Sequence, residues 1–131
     1  RRDPEGATLD RRQIITGWLD TAGKTHERIY DVACADGREI KNRRCEKSVG
    51  NTVNISQASY TNSIGEPFLS AAWTDPDFDA GQRAFYYVRV LEIPTPTWLA
   101  FDAKYFKVDL PDDALMEGQE RAYTSPIWYT P

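Results

Sequence analysis

The sequence predicts an all-β domain: an antiparallel β-sandwich with one short helix. Three observations carry this. The run Arg83–Ile93 is apolar on both faces and rich in β-branched and aromatic residues, the pattern of a central strand. The stretch from Gln13 to Ala33 reads as two strands around a polar turn. Further strand-like runs recur at intervals of about 8 to 16 residues, punctuated by Gly and Pro. A chain of 131 residues suits a single domain over positions 1–131.

The first strand is expected over Gln13–Leu19, and Asp20-Thr21-Ala22-Gly23-Lys24 supplies turn residues. The return strand, Thr25–Ala33, places His26, Arg28, Tyr30 and Val32 on one face and Glu27, Ile29 and Asp31 on the other. A third strand is expected within Gly50–Ile55 and a fourth within Pro67–Trp73. The central strand should stop at Pro94 and Pro96, because proline cannot donate to a ladder. The last strand, Thr124–Tyr129, sets Ile127 and Tyr129 on one side and Trp128 on the other.

Two stretches are less regular. Ala35–Ser48 is polar and basic, and reads as a surface loop. Thr97–Phe106 has Trp98, Phe101 and Tyr105 at helical spacing, with Thr97 as N-cap, and is expected to pack across an end of the sandwich. Gly118 should break whatever precedes the last strand. Asp3-Pro4 and Asp75-Pro76 stand at similar distances before Arg12 and Arg83, which suggests two similar corner loops feeding two similar strands.

Composition narrows the function. Sixteen basic and twenty acidic residues leave a net charge of -4, against the basic face of a nucleic-acid binder. No apolar run approaches the roughly 18 residues needed to span a bilayer. One histidine and two cysteines fall short of an ordinary zinc ligand set, and a catalytic triad would have to be built on His26 alone. A self-contained hydrolase is therefore the weakest reading, and His26 reads as solvated or at the core edge.

Four features remain. Asp75-Pro76-Asp77-Phe78-Asp79 has the alternating acids of a calcium loop, but Ala80 stands where Gly is wanted and Tyr86 where a bidentate Glu belongs. Ordinary turn chemistry suits Asp75, Asp77 and Asp79 better, and no cofactor is expected in this chain. Cys34 and Cys45 would form a bridge in an oxidising compartment, stabilising by roughly 2–3 kcal/mol, and would stay reduced in the cytosol; their polar flanks favour the bridge. Glu117, Glu120 and Arg121 read either as a salt-bridged surface or, for Arg121, as a docking residue. Four Trp and seven Tyr invite sugar binding, although most fall inside strand patterns as core; only Trp98 and Tyr123 look free.

Longer blocks carry a resemblance. Gln119-Glu120-Arg121-Ala122-Tyr123-Thr124-Ser125-Pro126-Ile127-Trp128-Tyr129-Thr130-Pro131 resembles the closing signature of a bacterial family of domains of unknown function. That family's members look like exported PHP (polymerase and histidinol phosphatase) metal-dependent hydrolases. Arg12-Gln13-Ile14-Ile15-Thr16-Gly17-Trp18 resembles its R-x-Q-I-x-K-G-W segment, with Thr16 in place of the usual Lys. Asp31-Val32-Ala33, Gly50-Asn51-Thr52-Val53, Tyr60–Gly65, Trp73–Phe78 and Gln82–Pro96 agree as well.

The resemblance implies that this is the C-terminal, antiparallel immunoglobulin-like β-sandwich of a longer, periplasmic or secreted protein, whose metal ligands lie upstream. No position here matches those motifs, so no catalytic or metal residue carries over. Export would favour the Cys34–Cys45 bridge. The implied role is an accessory one: packing on the upstream catalytic domain of the same chain and shaping its rim, with Arg121, Tyr123 and Trp98 as contacts. The rival is a glycan- or peptide-binding module. A strand missing before Arg1 would leave a sheet edge open and favour an edge-strand homodimer.

Overall fold

The computed structural model describes every residue from Arg1 to Pro131. It is mostly antiparallel β with one short helix and no barrel, consistent with an all-β sandwich. The strands are β1 (Leu9–Leu19), β2 (Thr25–Cys34), β3 (Ile40–Lys41), β4 (Arg44–Cys45), β5 (Ala84–Pro96), β6 (Glu117–Tyr123) and β7 (Ile127–Tyr129). Helix α1 spans Trp98–Phe106. The main sheet runs β2-β1-β5-β6, and β7 joins β5 on the same edge, beyond the end of β6.

The first hairpin forms where expected, but β1 starts earlier, at Leu9. Asp20 builds the turn: its Oδ1 accepts from the amides of Ala22 and Lys24, both at 2.9 Å. The pairs Ile14↔Tyr30, Thr16↔Arg28 and Trp18↔His26 confirm the expected division of faces. On one face lie Ile14, Thr16, Trp18, Tyr30, Val88 and Tyr86; on the other lie Gln13, Ile15, Gly17, Asp31, Ile29, Arg89, Tyr87 and Phe85.

The central strand runs further than its prolines suggest. A register shift between Leu91 and Pro94 lets Pro94 face Gln119 and Pro96 face Glu117. Pairing with β1 has ended by then, at Glu92, so the prolines sit in a one-sided stretch of ladder where a missing donor is tolerated. The partner strand β6 was not expected, and Gly118 lies inside it rather than breaking it. The last strand is shorter than expected, because Pro126 delays pairing until Ile127.

Two expected strands are absent. Around Gly50–Ile55 the asparagines capture the backbone: Asn51 Oδ1 accepts from the Val53 amide at 2.8 Å, and Asn54 Oδ1 from the Gln57 amide at 3.1 Å. A 3₁₀ turn over Ile55–Gln57 results. Pro67–Trp73 joins no ladder; it is tied down by Leu69, which is buried against Leu9 and Ala35, and by Arg12, which donates to the Leu69 carbonyl at 3.2 Å. The Ala35–Ser48 loop contains the β3–β4 ribbon, with Ile40 facing Cys45.

The two Asp-Pro corners do match. Asp3 Oδ1 accepts from the Glu5 amide and Asp75 Oδ1 from the Asp77 amide, each at 2.9 Å. Both corners precede strands that lie side by side in the sheet.

Candidate functional site

The acidic corner lies on the Tyr30 face of the sheet. Asp77 Oδ2 accepts from the Tyr30 hydroxyl and pairs with Arg28 at 2.5 Å. Asp75 Oδ2 accepts from the Tyr86 hydroxyl at 2.9 Å, and Asp79 Oδ1 from the Gly81 amide at 2.8 Å. Trp73 tilts against the Tyr30 ring at 5.0 Å, and Phe78 meets Tyr129 edge-on at 5.0 Å. The bond from Tyr30, and then Arg28, hold the Asp77 carboxyl below its ordinary 3.8. Burial first, and the Asp77 bond second, push the Tyr30 hydroxyl above 10.0; burial and Asp75 do the same to Tyr86. Each aspartate is thus taken up by donors of the chain, as in a turn that fastens a loop to a sheet.

The potential ligand atoms that do gather, within 4.8 Å of one another, belong to Asp31, Cys34 and Cys45. The two sulfurs are bonded to each other, with Cα atoms 5.9 Å apart. Asp31 accepts from Gln13 Nε2 at 2.6 Å and from the Cys45 amide at 2.7 Å. Donor set and disulfide together make this a structural knot, not a metal centre.

A buried polar network continues from the knot. Gln13 Oε1 accepts from Arg89 Nε at 2.7 Å. Asp10 is fully buried and accepts from Arg38 at 2.6 Å, from Gln119 at 2.8 Å and from Arg11. Arg38, expected on a surface loop, has a side chain only 7% exposed and also donates to the carbonyls of Ala35, Asp10 and Lys47. The signal for burial was absent from the basic run around it; only the acid on another strand reveals it.

The opposite face is aromatic. Phe85 rests on Gly17, whose missing Cβ would lie 2.4 Å from the ring's Cζ and 2.5 Å from Cε1. The Tyr87 ring lies 6.3 Å away and within 12° of parallel. Trp128 approaches Phe85 at 5.3 Å, and Tyr123 approaches Tyr87 at 6.2 Å, both tilted. Trp128 is 72% exposed, although its strand pattern suggested core; Ile127 on the opposite side is 73% exposed, so alternation carried no signal of which side meets solvent. Beyond Phe85 the strand ends form a cleft of about 590 Å³ lined by Trp18, Leu19, His26, Glu27, Arg83 and Trp128. His26 stacks on Trp18 at 5.3 Å and bonds Asp20 at 2.7 Å, a core-edge histidine.

The remaining predicted contacts are dispersed. Arg121 and Tyr123 share β6, Arg121 beside a hollow of about 310 Å³ shared with Arg2, Arg12, Glu92 and Glu120. Burial, and then repulsion from Glu120, raise the Glu92 carboxyl above its ordinary 4.5. Trp98 opens α1 and is 81% exposed. Thr97 holds the N-cap position, yet its hydroxyl donates to the Leu115 carbonyl at 2.7 Å instead of to capping. Of the whole helix only Ala100 is buried, so it does not cover the sheet end with its aromatics as the periodicity implied.

A sequence profile of proteins of unknown function, DUF3604, matches residues 1–131. The chain belongs to the DUF3604 family. No curated protein and no solved structure matches it. Membership in DUF3604 fixes kinship and leaves activity open. The disulfide suits a domain that folds in an oxidising compartment, and no helix is long and apolar enough to cross a membrane.

Proposed function

We propose that this chain is a non-catalytic accessory domain of an exported bacterial protein, packing on a PHP-like, metal-dependent hydrolase domain upstream in the same chain. The observation that carries the reading is the outer surface of α1. Trp98, Leu99, Phe101, Tyr105 and Phe106 are all exposed on nine residues of helix, joined by Val108 and Leu115. Apolar surface of this density is expected to be covered by protein. Trp98 belongs to it; Arg121 and Tyr123 extend the contact along β6.

The test is made in the protein that carries this domain beside its hydrolase domain. Trp98→Ala with Tyr105→Ala should split one cooperative melt into two and lower activity. One unchanged melt with unchanged activity would defeat the docking role. An edge-strand homodimer is the other partner reading: β2 borders the sheet, though Glu27 and Arg28 blunt its edge.

A second reading, a glycan- or peptide-binding module, is favoured by one observation: the exposed Trp128 beside the Phe85–Tyr87 rings.

A further inference from the structure

We propose that the aromatic floor of Phe85 and Tyr87, with the cleft at the hairpin end of the sheet, binds a chain of neutral pyranose units. The proposal rests on the second reading and gives it a place and a chemistry.

The floor is flat for a definable reason. Gly17 presents bare backbone, so the Phe85 ring settles onto it, with Cζ and Cε1 at 2.4 and 2.5 Å from where a Cβ would stand. Tyr87, two residues along the same face, holds its ring within 12° of parallel at 6.3 Å. Rings that fill a protein interior interdigitate with their neighbours, at tilted or edge-on angles. Two rings lying side by side offer a plane, which fits a flat ligand better than a knobbed protein surface. The C–H faces of a pyranose with equatorial hydroxyls are such a plane, and they gain dispersion energy on an aromatic ring. Trp128, inclined at 51° to Phe85, supplies a wall.

Sugar hydroxyls point outward from that plane and need partners at its rim. The adjoining cleft provides Thr25, His26, Glu27, Arg83 and Thr130 around Trp18, Leu19 and Trp128. Its volume of about 590 Å³ lies within the usual range for small-molecule sites. Neither Glu27 nor Arg83 takes part in any of the chain's ion pairs. The carboxylate is free to accept from, and the guanidinium to donate to, neighbouring hydroxyls. One unpaired charge of each sign, on a chain of net charge -4, selects an uncharged ligand over a polyanion.

The purified, disulfide-intact chain is titrated calorimetrically with cellohexaose, xylohexaose and mannohexaose, with polygalacturonate as the anionic comparison and sedimentation followed in parallel. At least one neutral hexasaccharide should bind and polygalacturonate should not. Trp128→Ala should weaken that binding by about tenfold or more, and Glu27→Gln should weaken it several-fold, with near-ultraviolet circular dichroism reporting intact folds. No binding of any neutral probe at millimolar concentration overturns both the site and the glycan reading. Binding that survives both substitutions overturns this site and leaves the glycan reading standing. Self-association abolished by Trp128→Ala, without glycan binding, assigns the face to a second copy and overturns the proposal.

Discussion

Replacing Gly17 by alanine tests the geometry of the aromatic face most directly. The new methyl would stand 2.4 Å from Phe85 Cζ and 3.1 Å from Cε2, so the ring has to lift or swing. Forcing extra volume into such a contact costs roughly 1–3 kcal/mol. Alanine recovers about 0.5–1 kcal/mol of that through its lower backbone entropy in a strand. The net expectation is a loss of about 1–2 kcal/mol, or about 3–8 °C in Tm for a chain of this size. Urea melts followed by tryptophan fluorescence measure the loss, and Trp128 at 5.3 Å from Phe85 reports the ring's displacement in the native baseline. In a Phe85→Ala background the same substitution should become neutral or stabilising, since nothing remains above Gly17 to collide with. Equal destabilisation in both backgrounds would refute the reasoning, because the cost would then not come from the ring.

Further outcomes follow from the polar chemistry. Asp10→Ala leaves Arg38 buried without its carboxylate and should cost about 3–5 kcal/mol in urea melts; Asp10→Asn should cost less, since the amide oxygen still accepts. Cys34→Ser with Cys45→Ser opens a short loop and should cost about 2–3 kcal/mol, an effect that dithiothreitol should reproduce on the parent chain. Asp77 has its pKa lowered, so its contribution is present above pH 3.8 and fades as pH falls through its folded value. Asp77→Asn should therefore flatten the acid limb of a stability–pH curve, and an unchanged limb would contradict the Tyr30–Asp77–Arg28 cluster. Tyr30 has its pKa raised, so its contribution is full below pH 10.0 and is lost as pH rises through the folded value; Tyr30→Phe should flatten that alkaline limb.

By itself the sequence determined the strands whose signals are local. Alternation from Gln13 to Ala33, the Asp20 turn and the doubly apolar Arg83–Ile93 run each state their conformation within a dozen residues, because side-chain period and turn chemistry are short-range properties. The matching Asp-Pro corners were legible for the same reason; the Cys34–Cys45 bridge was only favoured, because its formation depends on the compartment as well as on the residues. What tertiary structure decided was everything that depends on a partner far along the chain. β6 is a polar strand, Glu117–Tyr123, and becomes one only because β5 offers it an edge. Prolines 94 and 96 stay in β5 because β1 has already left their other side. Arg38 is buried because Asp10, 28 positions away, needs a cation. The aromatic floor joins Gly17 to Phe85, residues on different strands whose contact no local pattern encodes. Periodicity says which side of a strand a side chain takes; only the assembled sheet says whether that side meets protein or solvent, as Trp128 and α1 demonstrate.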